Sequence, residues 1–326
     1  MRYVTSLLLL ALGCSTPAPK PMDVSLAAPP AGQGWQWEVP PFQVPSGTEI
    51  QACYFFAVPG AAGQDVWTNR VTVAQTTGSH HMNIFRVKTN NGLYGKPGDV
   101  VTNGACFGPS SNWADWPLVI NSQDDKEVDW TLPDTVGEHF VGGELLMVQT
   151  HYVNATTQTT PLAGHVLVNF WTMPSAPANA LGTVFATNQN IRICPGDMGK
   201  TFEHKCTFKS QGVHIVAANG HFHSRGTEFD IASVDAQGNV GANFYVSKVW
   251  NEPPMMMGLD VQVPAMGGID WKCTFDYQCP PGQSVCGNPA DSNCFTFGGH
   301  VDTQEHCNAF VYYWPADATV GDITCF

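Results

Sequence analysis

Nowhere in this chain do apolar residues recur with helical period for more than two turns. They come instead in runs of five to ten, cut short by clusters of Gly, Pro, Asn and Asp. Such runs read as strands bounded by turns. The clearest are Arg70 to Gln75, His81 to Thr89, Glu144 to Val153, His165 to Thr172, Gly212 to Ala218, Glu228 to Val234 and Ala309 to Trp314. The 32 Gly and 24 Pro supply the turns, and charged residues at 13% are too few for long solvated helices. The expected fold is all-β. Its 326 residues suit two antiparallel β-sandwich, jelly-roll-like domains in tandem, 35–175 and 176–326. Pro174-Ser175-Ala176-Pro177-Ala178-Asn179 reads as the linker, and the halves show no sequence repeat.

The first residues point to export. Arg2 precedes the apolar core Leu7 to Leu12, which is too short to span a bilayer. Ala11-Leu12-Gly13-Cys14 resembles a bacterial lipobox, with Ala11 where Leu is more usual. Residues 1–14 are therefore expected to be an export signal with Cys14 as the lipidated residue. An ordinary cleaved signal is the other reading. The Pro- and Ala-rich 15–34 reads as a tether. Of the 11 Cys, ten remain beyond Cys14, an even number that in an exported chain suggests up to five disulfides. Cys279, Cys286 and Cys294 lack the C-x-x-C pair of a zinc site. The expected location is extracytoplasmic, as a bacterial lipoprotein. The net charge of −13, with no run of Lys or Arg, argues against nucleic acid as a partner. A membrane would be met only through the lipid anchor.

Chemistry is concentrated in histidines, the commonest metal ligands. His80 and His81 are adjacent, so on a regular strand they face opposite sides. Both reach one metal only at a strand end or where the strand twists. His151 shares a strand face with Leu145, Met147 and Gln149. His221 and His223, two apart on an extended chain, project together as a two-tooth chelate with Phe222 turned to the core. Taken singly, each motif also fits an ordinary surface or core histidine. His139, His165, His204, His214 and His300 carry no such pattern.

Taken in order, these motifs resemble the copper type II, ascorbate-dependent monooxygenases, the family of peptidylglycine α-hydroxylating monooxygenase and dopamine β-monooxygenase. His80-His81-Met82 resembles the family's His-His-Met segment, and Gln149-Thr150-His151-Tyr152 its Gln-x-His-Tyr. His221-Phe222-His223 resembles its His-x-His, and Glu305-His306-Cys307-Asn308 its Glu-Met-Cys-Asn. The resemblance implies two copper ions in two sandwich domains that face each other across a solvent cleft. His80, His81 and His151 would hold an electron-transfer copper. His221, His223 and His306 would hold the catalytic copper that meets dioxygen. Ascorbate would be the reductant. Gln149 and Asn308 would support the ligands. The implied disulfides are Cys53–Cys106, Cys206–Cys325 and Cys273–Cys307, with Cys194, Cys279, Cys286 and Cys294 left unassigned.

Three positions depart from the family. His306 stands where the family has Met, replacing a soft thioether by an imidazole that favours Cu(II) and also suits zinc. Met255, Met256, Met257 and Met266 are the remaining thioether candidates. Asn219 stands where the peptide enzyme has a carboxylate-binding Arg, and Phe310 where it has Tyr. A small-molecule substrate that is neutral or cationic therefore fits better than a carboxylate. The expected activity is hydroxylation of a C–H bond. The alternative is a non-catalytic copper-binding or copper-delivery lipoprotein. A zinc hydrolase with Glu305 as base ranks below both, and no G-x-S-x-G supports a serine hydrolase.

Overall fold

The computed structural model describes residues 24–325 apart from 90–92, 94, 103, 105, 107–114, 124–127, 155–159, 209–210, 281 and 317–322. The export signal 1–14, Cys14 and residues 15–23 of the expected tether lie outside the described residues. Among the described residues the chain is all-β, with a 3-10 turn at Pro289–Asp291. None of their helices is long and apolar enough to cross a membrane.

The first half builds two sheets. One runs in the order Gly34–Val44, Leu162–Thr172, Asp65–Gln75, Val136–Val141, Asn179–Ala180, with Val128–Thr131 also paired to Asp65–Gln75. The other runs Val100–Thr102, Thr48–Ala57, Leu145–Asn154, Ser79–Arg86, Leu118–Ser122. Their inner faces share one apolar core, where Trp37 stacks on Phe56 and Phe42 meets Tyr152 edge-on. The second half repeats the scheme. Met256–Val263, Val213–Phe222, Cys307–Trp314, Gly182–Thr187 and Ile323–Cys325 form one sheet. Lys200–Thr207, Gly268–Phe275, Gly226–Val234 and Val240–Ser247 form the other. Phe222 stacks on Phe229 between these sheets, and Gly226 leaves the space that the Phe222 ring fills.

Two boundaries differ from the sequence reading. Asn179–Ala180 lies beyond position 175 yet pairs in parallel with Val136–Gly137 of the first half. The segment before residue 34 is not a free tether throughout. Leu26 and Ala27 offer carbonyls to the Gln36 and Asn169 amides, so the chain is docked on the sheet from about there. The Asn169 side chain is buried, and Ala27 O supplies the acceptor its amide needs.

Five disulfides cross-link the fold: Cys53–Cys106, Cys194–Cys294, Cys206–Cys325, Cys273–Cys307 and Cys279–Cys286. Three are the pairs that the resemblance implies, and the other two use the four cysteines it left unassigned. Cys206–Cys325 and Cys273–Cys307 each tie one sheet of the second half to the other. Five disulfides belong to an oxidising, extracytoplasmic compartment.

The halves share an apolar core along one side. Phe185, Val216, Ala217, Phe310 and Tyr312 of the second half join the core of the first. Phe85 meets Phe185, and Trp130 meets Tyr312 at 5.0 Å between ring centroids. Each large side chain so buried is worth roughly 1.5–3 kcal/mol. Hydrogen bonds reinforce the join: Thr183 Oγ1 donates to Leu118 O, and Asn121 N to the Tyr312 hydroxyl.

Candidate metal centre

The clustered histidine side chains reach their places for local reasons. In the pairing of Ser79–Arg86 with Leu145–Asn154, Ser79 faces Tyr152 and His81 faces His151, so the register slips at His80. A bulge of this kind breaks strict alternation. It lets both adjacent rings turn inward, with centroids 5.3 Å apart. His81 and His151 lie directly opposite each other, centroids 5.1 Å apart. On Val213–Phe222 and the residue after it, alternation works as the sequence suggests. His221 and His223 share a face, and Phe222 is buried on the other. His306 precedes Cys307–Trp314, with its neighbour Cys307 held to Cys273.

All six rings meet in one cluster. Here the structure departs from the two separated sites that the resemblance implies. His80 lies 4.7 Å from His221 and 5.2 Å from His223, centroid to centroid, and His81 lies 5.1 Å from His221. Those are the separations found within each half, so no solvent cleft divides the two sets. Five of the rings, those of His81, His151, His221, His223 and His306, line a cavity of about 650 Å³ between the halves. The shared apolar core closes one side of it.

Burial sets the protonation of the cluster. Desolvation first, then the neighbouring imidazoles, hold His80, His81, His221 and His306 well below the ordinary histidine value. His223 falls to about 3, chiefly through desolvation. These rings are neutral at pH 7, the form that binds metals. The Nε2 atoms of His80, His221 and His306 are buried and have no hydrogen-bond partner. A buried polar atom left unpaired is costly, and three within one cluster suit a cation.

A chain of buried amides sets the ring tautomers. Asn83 Nδ2 donates to Gln149 Oε1, and Asn83 Oδ1 accepts from Asn121 Nδ2. Asn121 Oδ1 accepts from Gln123 Nε2 and Asn219 Nδ2. Gln123 Nε2 also donates to Gly220 O. That leaves Gln123 Oε1 to accept from His221 Nδ1 at 2.5 Å. The His223 Nδ1 donates to the Gln304 carbonyl at 2.8 Å. Both rings thus carry their proton on Nδ1 and present a lone pair at Nε2. His151 is the reverse, since its Nε2 donates to Glu49 Oε2 at 3.0 Å. Asn308 Nδ2 contacts His306 Nδ1 at 2.8 Å. Gln149, expected to support the ligands, is buried and reaches them through Asn83.

On the open side of the cavity a strap from the second half crosses to the first. His300 Nδ1 and Val301 N donate to Glu49, and Gln51 Nε2 to Gly299 O. Burial raises the Glu49 pKa, but the bonds from His151 and His300 outweigh it and bring the carboxyl to about 2. Arg225 anchors the strap from below through Val301 O and Asp302 O. Glu305 is no candidate base. Its oxygens accept from the backbone N–H groups of His223 and Arg225, it does not line the cavity, and burial pushes it up to about 8. Thioether candidates fare no better. Met256 and Met266 are exposed, Met255 packs on the shared core, and Met257 lines a separate pocket. Among the described residues no Met, Lys or Arg lines the histidine cavity.

Sequence reasoning missed Asn83, Asn121, Gln123, Glu49 and Gln51, and set His300 aside. Asn83 alone had a signal, two residues beyond His81 on the same strand face. The others come from strands whose adjacency no local pattern reveals.

No family model matches the chain, and no curated protein matches it. Among solved structures, the STIV MCP is similar at 7% identity over 87% of this chain and 97% of that one, with a TM-score of 0.33. The major capsid protein P2 of bacteriophage PM2 is similar at 9% identity over 80% and 96%, with a TM-score of 0.26. The infectious bursal disease virus VP2 subviral particle is similar at 11% identity over 86% and 72%, with a TM-score of 0.23. Likenesses at this level carry no argument.

Proposed function

We propose that this chain is a copper-dependent monooxygenase that hydroxylates a C–H bond of a small molecule, with dioxygen as oxidant and ascorbate as reductant. The observation that carries the reading is the cluster of six imidazoles from both halves, with three unpartnered Nε2 atoms. The copper assignment rests on the ordered His motifs and their resemblance to the ascorbate-dependent enzymes. Imidazoles suit zinc as well as copper. Bound copper supplies one-electron transfer and dioxygen activation. One oxygen atom enters the C–H bond and the other leaves as water, with two electrons and two protons from ascorbate.

The chain's own residues bind, orient and exclude. His80, His81, His151, His221, His223 and His306 are the metal ligands. Gln123 and the Gln304 carbonyl hold His221 and His223 with lone pairs inward. Phe185, Phe297 and Phe310 form apolar walls. Among the described residues Glu49 is the only Asp or Glu lining the cavity, and no Lys or Arg lines it to pair with a carboxylate. A neutral or cationic substrate fits these walls. The N-terminal Cys14 is proposed as the lipid attachment point, making the chain a bacterial lipoprotein.

The test supplies copper-loaded protein with ascorbate and a panel of neutral and cationic small molecules, and follows oxygen uptake with product. Coupled uptake that vanishes in His221→Ala is the expected result. A second reading, a copper-binding or delivery lipoprotein, is favoured by the all-imidazole donor set, which holds no thioether for Cu(I). Tight copper binding without coupled oxygen uptake would select it and sink the enzyme.

A further inference from the structure

We propose that His80 of the first half and His221 and His223 of the second form one metal centre, so that a single ion joins the two halves. This rests on the reading of the cluster as a metal site and says how the ligands are shared. The resemblance would assign His80 to one ion and His221 with His223 to another. The geometry groups them otherwise. One ring nitrogen from each of these three lies within 4.8 Å of the other two, and among the described residues they are the set that does so.

Hydrogen bonding supports the same grouping. His221 and His223 have their Nδ1 protons committed to Gln123 Oε1 and Gln304 O, which leaves both Nε2 lone pairs free. The His80 Nε2 is buried with no partner. The rings outside the trio are differently engaged. His151 Nε2 donates to Glu49. His81 Nδ1 faces Asn83 Nδ2, whose orientation is fixed because the same amide also donates to Gln149 and accepts from Asn121. His306 Nδ1 faces the Asn308 side chain, and His306 stands outside the set of three. His80, sitting at the register slip, is the first-half ring closest to His221.

Three neutral imidazoles at this spacing suit a first-row divalent ion in three-coordinate or open four-coordinate geometry. An ion held this way needs the halves closed, and it adds a bond between them beside the shared apolar core. Separation of the halves would then require loss of the metal.

The test titrates Cu(II) into the disulfide-intact chain and reads bound copper and the EPR spectrum. It compares the wild type with His80→Ala, His221→Ala and His81→Ala. A shared centre predicts that His80→Ala and His221→Ala each remove the same Cu(II) signal and one equivalent of bound copper, while His81→Ala retains that signal. His80→Asn, which keeps a polar group at the slip, is run beside them, with far-UV circular dichroism to confirm folding. A folded His80→Asn that keeps the His221-dependent signal unchanged would overturn the proposal. Failure of the wild type to bind copper or zinc would overturn it together with the metal reading. Copper bound at the shared signal without ascorbate-driven oxygen uptake would leave it standing and remove only the oxygenase.

Discussion

The metal-free protein should be acid-labile well above the carboxylate range. Five of the clustered rings, His80, His81, His221, His223 and His306, have folded pKa values pushed far below their unfolded value of about 6.5. The stability they carry is present above pH 6.5 and lost as the pH falls, because the unfolded chain takes up protons that the folded cluster refuses. Between pH 7.5 and 5.5 each ring costs about 1.4 kcal/mol, and five cost about 7 kcal/mol. Glu305 works the other way. Its raised pKa of about 8 destabilises the fold as pH rises above its unfolded value, so acidification returns roughly 2–3 kcal/mol. Asp270, raised to about 6 by burial, acts in the same sense as Glu305 and less strongly. Glu49, at about 2, contributes stability that is lost only below this window. The net loss is about 4 kcal/mol, a large share of an ordinary domain's stability. With an unfolding entropy of about 2.1 cal/mol/K per residue over roughly 300 residues, Tm should fall by about 6 °C. Differential scanning calorimetry in chelator at the two pH values measures this directly. A Tm at pH 5.5 equal to or above that at pH 7.5 would refute the reading of the cluster as buried and neutral. A saturating metal should reduce the drop, since it competes with protons for the same lone pairs.

Three further outcomes are expected. Gln123→Leu removes the acceptor that fixes the His221 tautomer and should weaken copper affinity 10–100-fold, whereas Gln123→Glu, which keeps that acceptor but loses the donor bonds to Asn121 and Gly220, should restore only part of it. Competition against a copper chelator measures both, and equal affinity in the Leu variant and wild type would remove Gln123 from the site. Glu49→Gln should speed amide hydrogen exchange at Val301 in the strap, with little change in global stability because His300 is largely exposed; unchanged exchange would mean that Arg225 and Gln51 hold the strap without Glu49. The double variant Cys206→Ala, Cys325→Ala opens a cross-link spanning 119 residues. It should lose about 4–5 kcal/mol in urea unfolding, and a loss under about 1 kcal/mol would mean that the final strand holds without it.

Much of the fold was legible because strands announce themselves locally. The run around Leu145 to Val153 and the alternation through His221, Phe222 and His223 needed only a period of two and flanking turn residues. The same rule could not place His80. Its inward turn comes from a register slip against Leu145–Asn154, a property of the pair of strands and not of either alone. Asn121 and Gln123 were invisible for a related reason. They sit on and just past an edge strand of the first half, and they matter only because that edge lies against Asn219, Gly220 and His221. The meeting of the two histidine sets is a property of how the halves dock, which the shared aromatics Phe85, Trp130, Phe185 and Tyr312 determine. The His motifs named the rings that cluster, and only the docking showed how near they stand.

The pairing of distant strands fixes when the centre can first exist. Gly34 pairs with Trp171, and the ring of His80 meets those of His221 and His223. A chain emerging from a translocation channel with its N-terminus first leaves its opening strand unpaired until the strand Leu162–Thr172 has followed it. His80 then waits for the second half. The contact of these rings is therefore one of the last events of maturation, and a metal held there would report that both halves have folded and docked.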